Sequence, residues 1–221
     1  MPKTIIFDTE TTGLEAPEII EAAWLEVNSL APMSYGACFE QRYRPSKPIS
    51  IAALATHHIL DEELVDCPTS SEFALPQDVD YLIGHNIDFD WTVIGTPDVR
   101  RICTLSLARA VWPSLESHSQ GALLYYLERH TAKQRLQNAH AAAADIRICA
   151  TILAHLCETL HISEMESLWE RSEDARIPTH MPFGKHKGVP IAAVPKDYAR
   201  WLLDQPNVDP AITKAFLKYG K

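Results

Sequence analysis

Apolar and polar positions divide the chain into a sheet-forming front and a helix-forming middle. Thr4–Phe7 is an apolar, β-branched run leading straight into Asp8-Thr9-Glu10, the pattern of a buried strand that ends at a polar edge. Ile19–Val27 and Ala37–Arg44 read as two further strands, joined by short polar turns into an antiparallel meander. Ile51–Leu60 has helical spacing, Tyr81–His85 is a short apolar strand after a proline-containing loop, and Arg101–Thr104 is another strand. Helical periodicity then governs Leu105–Val111, Gly121–His130 and Ala139–Leu160, the last with Asn138 as its cap. Strands first, then strands alternating with helices, then helices predict an α/β fold: a mixed β-sheet with helices on its faces.

Proline usage adds a boundary. No proline occurs between Pro113 and Pro178, whereas six of the fifteen fall in 178–221. The polar stretch Ser172–Thr179 at the end of the proline-free region is the expected linker. It divides the chain into a main domain over 1–171 and a small C-terminal unit over 180–221, read as α+β.

Charge follows the same division. The total is −9, yet residues 178–221 hold seven Lys/Arg against three acids, a net +4, which leaves −13 on residues 1–177. A basic tail on an acidic body points to a division of labour and keeps a polyanionic partner open despite the acidic total. The five cysteines, odd in number and without a CxxC pair, read as free thiols of a reducing compartment. No apolar run approaches the ~20 residues of a membrane span. Asp8 and Glu10 arrive too early for a signal peptide, so a soluble, cytoplasmic protein is expected.

Three short segments carry candidate chemistry. Asp8 and Glu10, at i and i+2 on a strand, point to one face. Two such carboxylates repel unless a cation lies between them, and all-oxygen ligation suits Mg²⁺ or Mn²⁺. The ordinary alternative is a pair of exposed acids at a strand end. His85-Asn86-Ile87-Asp88-Phe89-Asp90 follows the short strand at the edge where α/β sheets place ligand crevices, with Asp90 or Asp88 as a third carboxylate. His140 and Asp145 flank four alanines at the start of the longest helix, and Asp145 shares a face with Ile148 and Ile152. A carboxylate on that sheet-facing side needs a cation or a partner, and the alanines let the helix backbone approach the sheet closely. A helix-dipole acid is the ordinary reading.

Taken in order, these segments resemble the motifs of the DEDDh 3′→5′ exonucleases, a branch of the ribonuclease H-like superfamily. Residues 7–14 (FDTETTGL) are similar to the first motif, 85–90 to the second and His140–Asp145 to the third, and the resemblance covers about residues 3–160. Residues 102–113, the tail Phe183–Gly188 and Asp197–Leu202 are similar to members of that family that act on DNA and carry a small C-terminal domain.

The resemblance implies a ribonuclease H-like sheet and a catalytic set of Asp8, Glu10, Asp90, His140 and Asp145. It implies two Mg²⁺ ions, replaceable by Mn²⁺, held by Asp8, Glu10, Asp90 and Asp145, with His140 as general base. The implied substrate is the 3′ end of DNA, single-stranded or a frayed duplex, released as nucleoside 5′-monophosphates. RNA trimming is the alternative, and a non-catalytic nucleic-acid-binding module a third. Thr11, Gly13, Leu14, His57, Asn86 and Phe89 are the implied substrate contacts. His58 and Leu60 depart from the glycine or basic residue and the threonine common at those places. Arg42, Arg44, Lys47, Arg100, Arg101 and Arg109, with the basic tail, are the expected source of positive field for phosphate.

Overall fold

The computed structural model of the chain describes residues 2–138, 141–205, 208 and 210–220. Two compact units are resolved, Met1–Ser172 and Glu173–Lys221.

The first unit is built on a five-stranded sheet of order β3-β2-β1-β4-β5. Its strands are β1 (Lys3–Thr11), β2 (Ile19–Leu30), β3 (Met33–Arg42), β4 (Val79–Gly84) and β5 (Arg100–Cys103). The meander β1-β2-β3 is antiparallel, whereas β4 and β5 add to β1 in parallel, which makes the sheet mixed. Central β1 and β4 are buried nearly throughout, as an apolar β-branched run requires, and β3 is the exposed edge.

Alternation along β1 sends its side chains to two different environments. Ile5 and Phe7 enter a cluster with Leu82, Ile87 and Cys103, against which Trp91 and Phe73 pack. The other face carries Ile6, Asp8 and Glu10 toward the long helix α6 introduced below.

Helices follow the sequence pattern with local differences. The region expected to be helical over 51–60 gives α1 (Ile51–His57), N-capped by Ser50, whose hydroxyl accepts from Ala53 N. Helix α2 (Asp88–Val93) was not foreseen, because six residues are too few for a period to show. Helix α3 (Thr104–Val111) matches its expectation.

The helix expected over Gly121–His130 is two helices, α4 (Gln120–Leu127) and α5 (Arg129–Arg135), broken at Glu128. The Glu128 carboxylate accepts from the Thr131 hydroxyl and from Arg135 Nη1 at 2.6 Å, and its carbonyl accepts from Thr131 N and Ala132 N. Those bonds restart the helix after the break without glycine or proline.

Helix α6 (Ala142–Leu160) crosses β1 and β2. It begins later than expected, with Ala141 at its N-cap, so Asn138 does not cap it. Helix α7 (Met165–Ala175) takes up the first residues of the expected linker, because Ser172 is buried and its hydroxyl accepts from Cys103 N at 2.8 Å. No helix among the described residues is long and apolar enough to cross a membrane.

The second unit carries α8 (Lys196–Leu203) and α9 (Pro210–Lys218) around a core of Met181, Ile191, Val194, Ala199, Leu202, Ile212, Ala215 and Phe216. Its β content among the described residues is one bridge between His180 and Pro190. The sequence places Trp201 in this core with Tyr198 and Leu202; it is instead 54% exposed, because Ala199 and Leu202 occupy the inward face of α8. Asp209-Pro210, an N-cap residue followed by proline, predicts the start of α9, and Asp209 lies outside the described residues.

Candidate active site

The carboxylates of Asp8, Glu10 and Asp145 converge where the C-terminal end of β1 meets the first turn of α6. An oxygen atom from each lies within 4.8 Å of the others. The close approach of helix and sheet has a sequence cause. Buried Ala23 stands opposite Asp8 across β2, and buried Ala142 begins the helix.

The helix start is fastened by Glu21, which sequence reasoning missed. Glu21 lies opposite Glu10 on β2 and Arg42 lies opposite Glu21 on β3, so a charged row runs across the meander. Glu21, only 1% exposed, accepts Ala142 N at 2.8 Å and Arg42 Nε at 3.0 Å, and Arg42 also reaches Glu63. A lone acid inside the apolar strand Ile19-Ile20-Glu21-Ala22-Ala23 was the available signal. Just past this row the β1–β2 register slips between Glu10 and Thr11, an irregularity beside the carboxylates.

Asp90 and Asp88 separate cleanly. Asp90, 6% exposed on α2, accepts Thr9 N at 3.0 Å and the Thr9 hydroxyl at 2.6 Å, so it is tied to the residue between Asp8 and Glu10. Asp88 points elsewhere and pairs with Arg101, whose guanidinium lies over the Trp91 ring. The turn that delivers α2 depends on Gly84. A Cβ there would stand 2.7 Å from Ile87 Cδ1 and 3.0 Å from the Phe7 carbonyl.

This crowding of acids is visible in their protonation. Burial, then the charges of Asp90, Asp145, Glu10 and Glu21, hold Asp8 well above the ordinary carboxylate range. Burial, then Asp145, Glu21 and Asp90, push Glu10 up to about 8. Asp90 rises to about 6 through burial, with the two Thr9 hydrogen bonds working in the opposite direction. Converging carboxylates of Asp8, Glu10 and Asp145, two of them strongly desolvated, offer a donor set suited to a hard divalent cation, which would remove both the repulsion and the desolvation cost.

Beside Glu10 lies a cleft of about 310 Å³ lined by Thr9, Thr11, Gly13, Leu14, Ser50, Ala53, Thr56, His57 and Phe89. Five of the six expected substrate contacts therefore share one wall-to-wall space, whereas exposed Asn86 does not line it. Leu14 is 86% exposed at the mouth. Gly13 has φ +143° and sits so near Ser50 that a Cβ would stand 2.8 Å from its hydroxyl. His57 is buried, and its Nδ1 accepts Ile59 N at 3.0 Å. His58 caps α1 in the left-handed region, the conformation that explains why glycine suits that position.

The remaining expectations distribute as follows. His140 lies outside the described residues. His85 is a bracing residue: its Nε2 donates to the His118 carbonyl at 2.8 Å and its Nδ1 lies 2.9 Å from the Thr104 hydroxyl. Burial, opposed by the bond to His118, brings its pKa down to about 4, so the ring is neutral.

Most of the basic residues expected to face phosphate are committed within the protein. Arg42 serves Glu21 and Glu63, Arg44 donates to the Val65 carbonyl, and Lys47 donates to the Glu15 and Ala16 carbonyls. Arg100 pairs with Glu166 and stacks on Trp169, and Arg101 pairs with Asp88. Arg109 is exposed on α3.

A family model described as Exonuclease matches residues 5–153. A second model, named for a quorum-sensing-regulated virulence factor, matches residues 174–207. Exodeoxyribonuclease 10 of Escherichia coli (strain K12) is 29% identical over 212 residues, covering 92% of this chain and 91% of the relative. DNA polymerase III subunit epsilon of Pasteurella multocida is 30% identical over 177 residues, 68% of this chain and 66% of the relative.

Among solved structures, exonuclease X in complex with 5′-overhanging duplex DNA superposes with a TM-score of 0.59 at 27% identity, covering 76% of this chain and 99% of that one. E. coli exonuclease I with a dT13 oligonucleotide gives a TM-score of 0.57 at 16% identity, over 73% of this chain and 42% of that one, which is a likeness of fold.

Proposed function

This chain belongs to the exonuclease family whose model spans residues 5–153, in its DEDDh 3′→5′ branch, and from that premise we propose that it shortens DNA from the 3′ end in a reaction that needs two divalent cations. The observation that carries the metal requirement is the convergence of Asp8, Glu10 and Asp145 within 4.8 Å, in surroundings that push Glu10 up to about 8. Without a cation those groups resist sharing one space in ionised form. DNA as substrate follows exodeoxyribonuclease 10 of Escherichia coli, a relative matched over 92% of this chain.

In this reading Asp8, Glu10 and Asp145 would hold one ion and Asp90 would serve the second, with Mg²⁺ as the working metal and Mn²⁺ as a substitute. Bound there, the pair would supply charge stabilisation for an in-line attack of water on phosphorus with departure of the 3′-oxygen. Thr9 keeps Asp90 ionised and aimed through its two hydrogen bonds. Glu21 holds the first turn of α6, and with it Asp145, against the sheet. His140 takes the proton of the attacking water, a role that rests on the family motif.

The cleft beside Glu10 receives the terminal nucleotide. Thr11 and Gly13 meet its backbone and sugar, and Leu14, His57 and Phe89 meet its base side. A cytoplasmic location accords with the free thiols of Cys38, Cys67, Cys103, Cys149 and Cys157.

The test is gel-resolved digestion of 5′-labelled single-stranded DNA with Mg²⁺ or EDTA, beside RNA of the same sequence and the variant Asp8→Asn. A ladder shortening from the 3′ end, faster on DNA, silenced by EDTA and by Asp8→Asn, is expected. Undiminished hydrolysis by Asp8→Asn would refute the metal assignment, and faster loss of RNA would refute DNA as substrate.

A further inference from the structure

The second unit places a basic turn against a ladder of aromatic rings. Residues 183–188 form a hairpin closed by Met181 N donating to the Val189 carbonyl and Gly188 N donating to the Met181 carbonyl. Gly184 (φ +72°) and Gly188 (φ +80°) supply the left-handed conformations it needs. Gly184 is also where the turn presses on α8, since a Cβ there would stand 2.7 Å from the Tyr198 hydroxyl. The His186 ring meets Tyr198 edge-on at 4.5 Å between centroids, and Tyr198 in turn lies 5.4 Å from Trp201.

Stability does not explain this surface. A unit of this size is short of core and gains from burying every large side chain it has. Yet Trp201 is 54% exposed and Phe183 41% exposed. Lys185 and Lys187 stand exposed on either side of His186. No Asp or Glu occurs between Asp174 and Asp197, whereas Arg176, Lys185, Lys187 and Lys196 do, on a chain whose total charge is −9. An unpaired aromatic face beside clustered cations is the chemistry that holds single-stranded nucleic acid: bases stack on the rings and phosphates meet the lysines.

We propose that Trp201, Tyr198 and the 183–188 turn form a stacking platform for single-stranded DNA. The choice of DNA among polyanions rests on the exodeoxyribonuclease reading above. The platform gives the small unit the task of holding the strand that the first unit shortens, and it places the positive field that the committed arginines of the first unit do not supply.

The experiment is fluorescence anisotropy of the full chain with labelled oligo-dT of about 30 nucleotides, long enough for several stacked bases. EDTA stops hydrolysis. Trp201→Ala should weaken binding roughly tenfold or more. The double variant Lys185→Glu with Lys187→Glu should weaken it and flatten the slope of log K against log salt by about 1.4, the value for two lost single-strand phosphate contacts. With Mg²⁺ and a substrate of about four nucleotides, near the small end of single-strand site sizes, both variants should cut at the wild-type rate.

Wild-type affinity in both variants would overturn the platform, as would equal loss of activity on the short substrate. Dependence on Trp201 seen with oligo-U but not with oligo-dT would overturn the assignment to DNA. A wild-type protein that fails to cut but binds oligo-dT through Trp201 would remove the exonuclease reading and leave the platform standing.

Discussion

Glu10→Gln should make the metal-free protein more stable at alkaline pH. Glu10 has its pKa moved from 4.5 to about 8 by burial and by the charges of Asp145, Glu21 and Asp90. The folded state therefore binds this proton more tightly than the unfolded chain does. Stability is whole below about pH 4.5, falls as pH rises, and the loss is complete above about pH 8. At about 1.36 kcal/mol per pH unit, less an allowance for partial solvent access, the interval costs roughly 3–5 kcal/mol. Gln is neutral at every pH and escapes that cost.

For a unit of this size each kcal/mol moves the melting temperature by about 2–4 °C, so the variant should melt about 10 °C above wild type at pH 8.5 in EDTA. Calorimetric melts of the larger unit's transition, at pH 5 and pH 8.5 and with or without Mg²⁺, check this. The two proteins should nearly coincide at pH 5, and Mg²⁺ should restore the wild type at pH 8.5. Parallel pH profiles for wild type and Glu10→Gln in EDTA would refute the electrostatic account of the site.

Other consequences can be measured directly. Glu21→Leu strips the Ala142 N–H and Arg42 of a buried acceptor, which should cost about 2–3 kcal/mol in urea unfolding and lower kcat, with Glu21→Gln recovering much of both. Thr9→Val removes the 2.6 Å bond to Asp90; stability should fall by only about 1 kcal/mol, while the Mg²⁺ concentration for half-maximal rate rises. Gly84→Ala forces a Cβ against Ile87 and the Phe7 carbonyl, and thermal melts should show a loss of about 1–3 kcal/mol from overpacking.

β1 and β4 were legible because each is an apolar run buried nearly throughout, whereas the exposed edge strand β3, with mixed polar residues, begins at Met33 and not at the expected Ala37. The site's geometry was legible for a related reason. Period two fixes Asp8 and Glu10 on one face, and the alanines before Asp145 foretell a close helix. Residue pattern alone left Asp88 and Asp90 open, since a six-residue helix has no visible phase, and only the resemblance named Asp90, which Thr9 ties beside the site through tertiary hydrogen bonds. The break at Glu128 arises from its contacts with Thr131 and Arg135, and no local propensity announces it. The arginines misled for the same reason: sequence shows a charge, and only the fold shows that Glu21, Glu166 or Asp88 already answers it. Exposure of Trp201 was hidden because a tryptophan among apolar neighbours reads as core until helix phase assigns the inward face to Ala199 and Leu202.

The distance along the chain between the converging carboxylates also governs when a cutting site can exist during synthesis. Asp8 and Glu10 leave the ribosome well before Asp145 does, and the hairpins of β1, β2 and β3 need only local pairing. The third carboxylate belongs to α6, and the first turn of that helix is fastened to Glu21 across a separation of 121 residues. A chain interrupted before Asp145 displays two repelling acids and lacks the third carboxylate of the cluster. In the proposed reading, competence to cut therefore arrives together with closure of the fold.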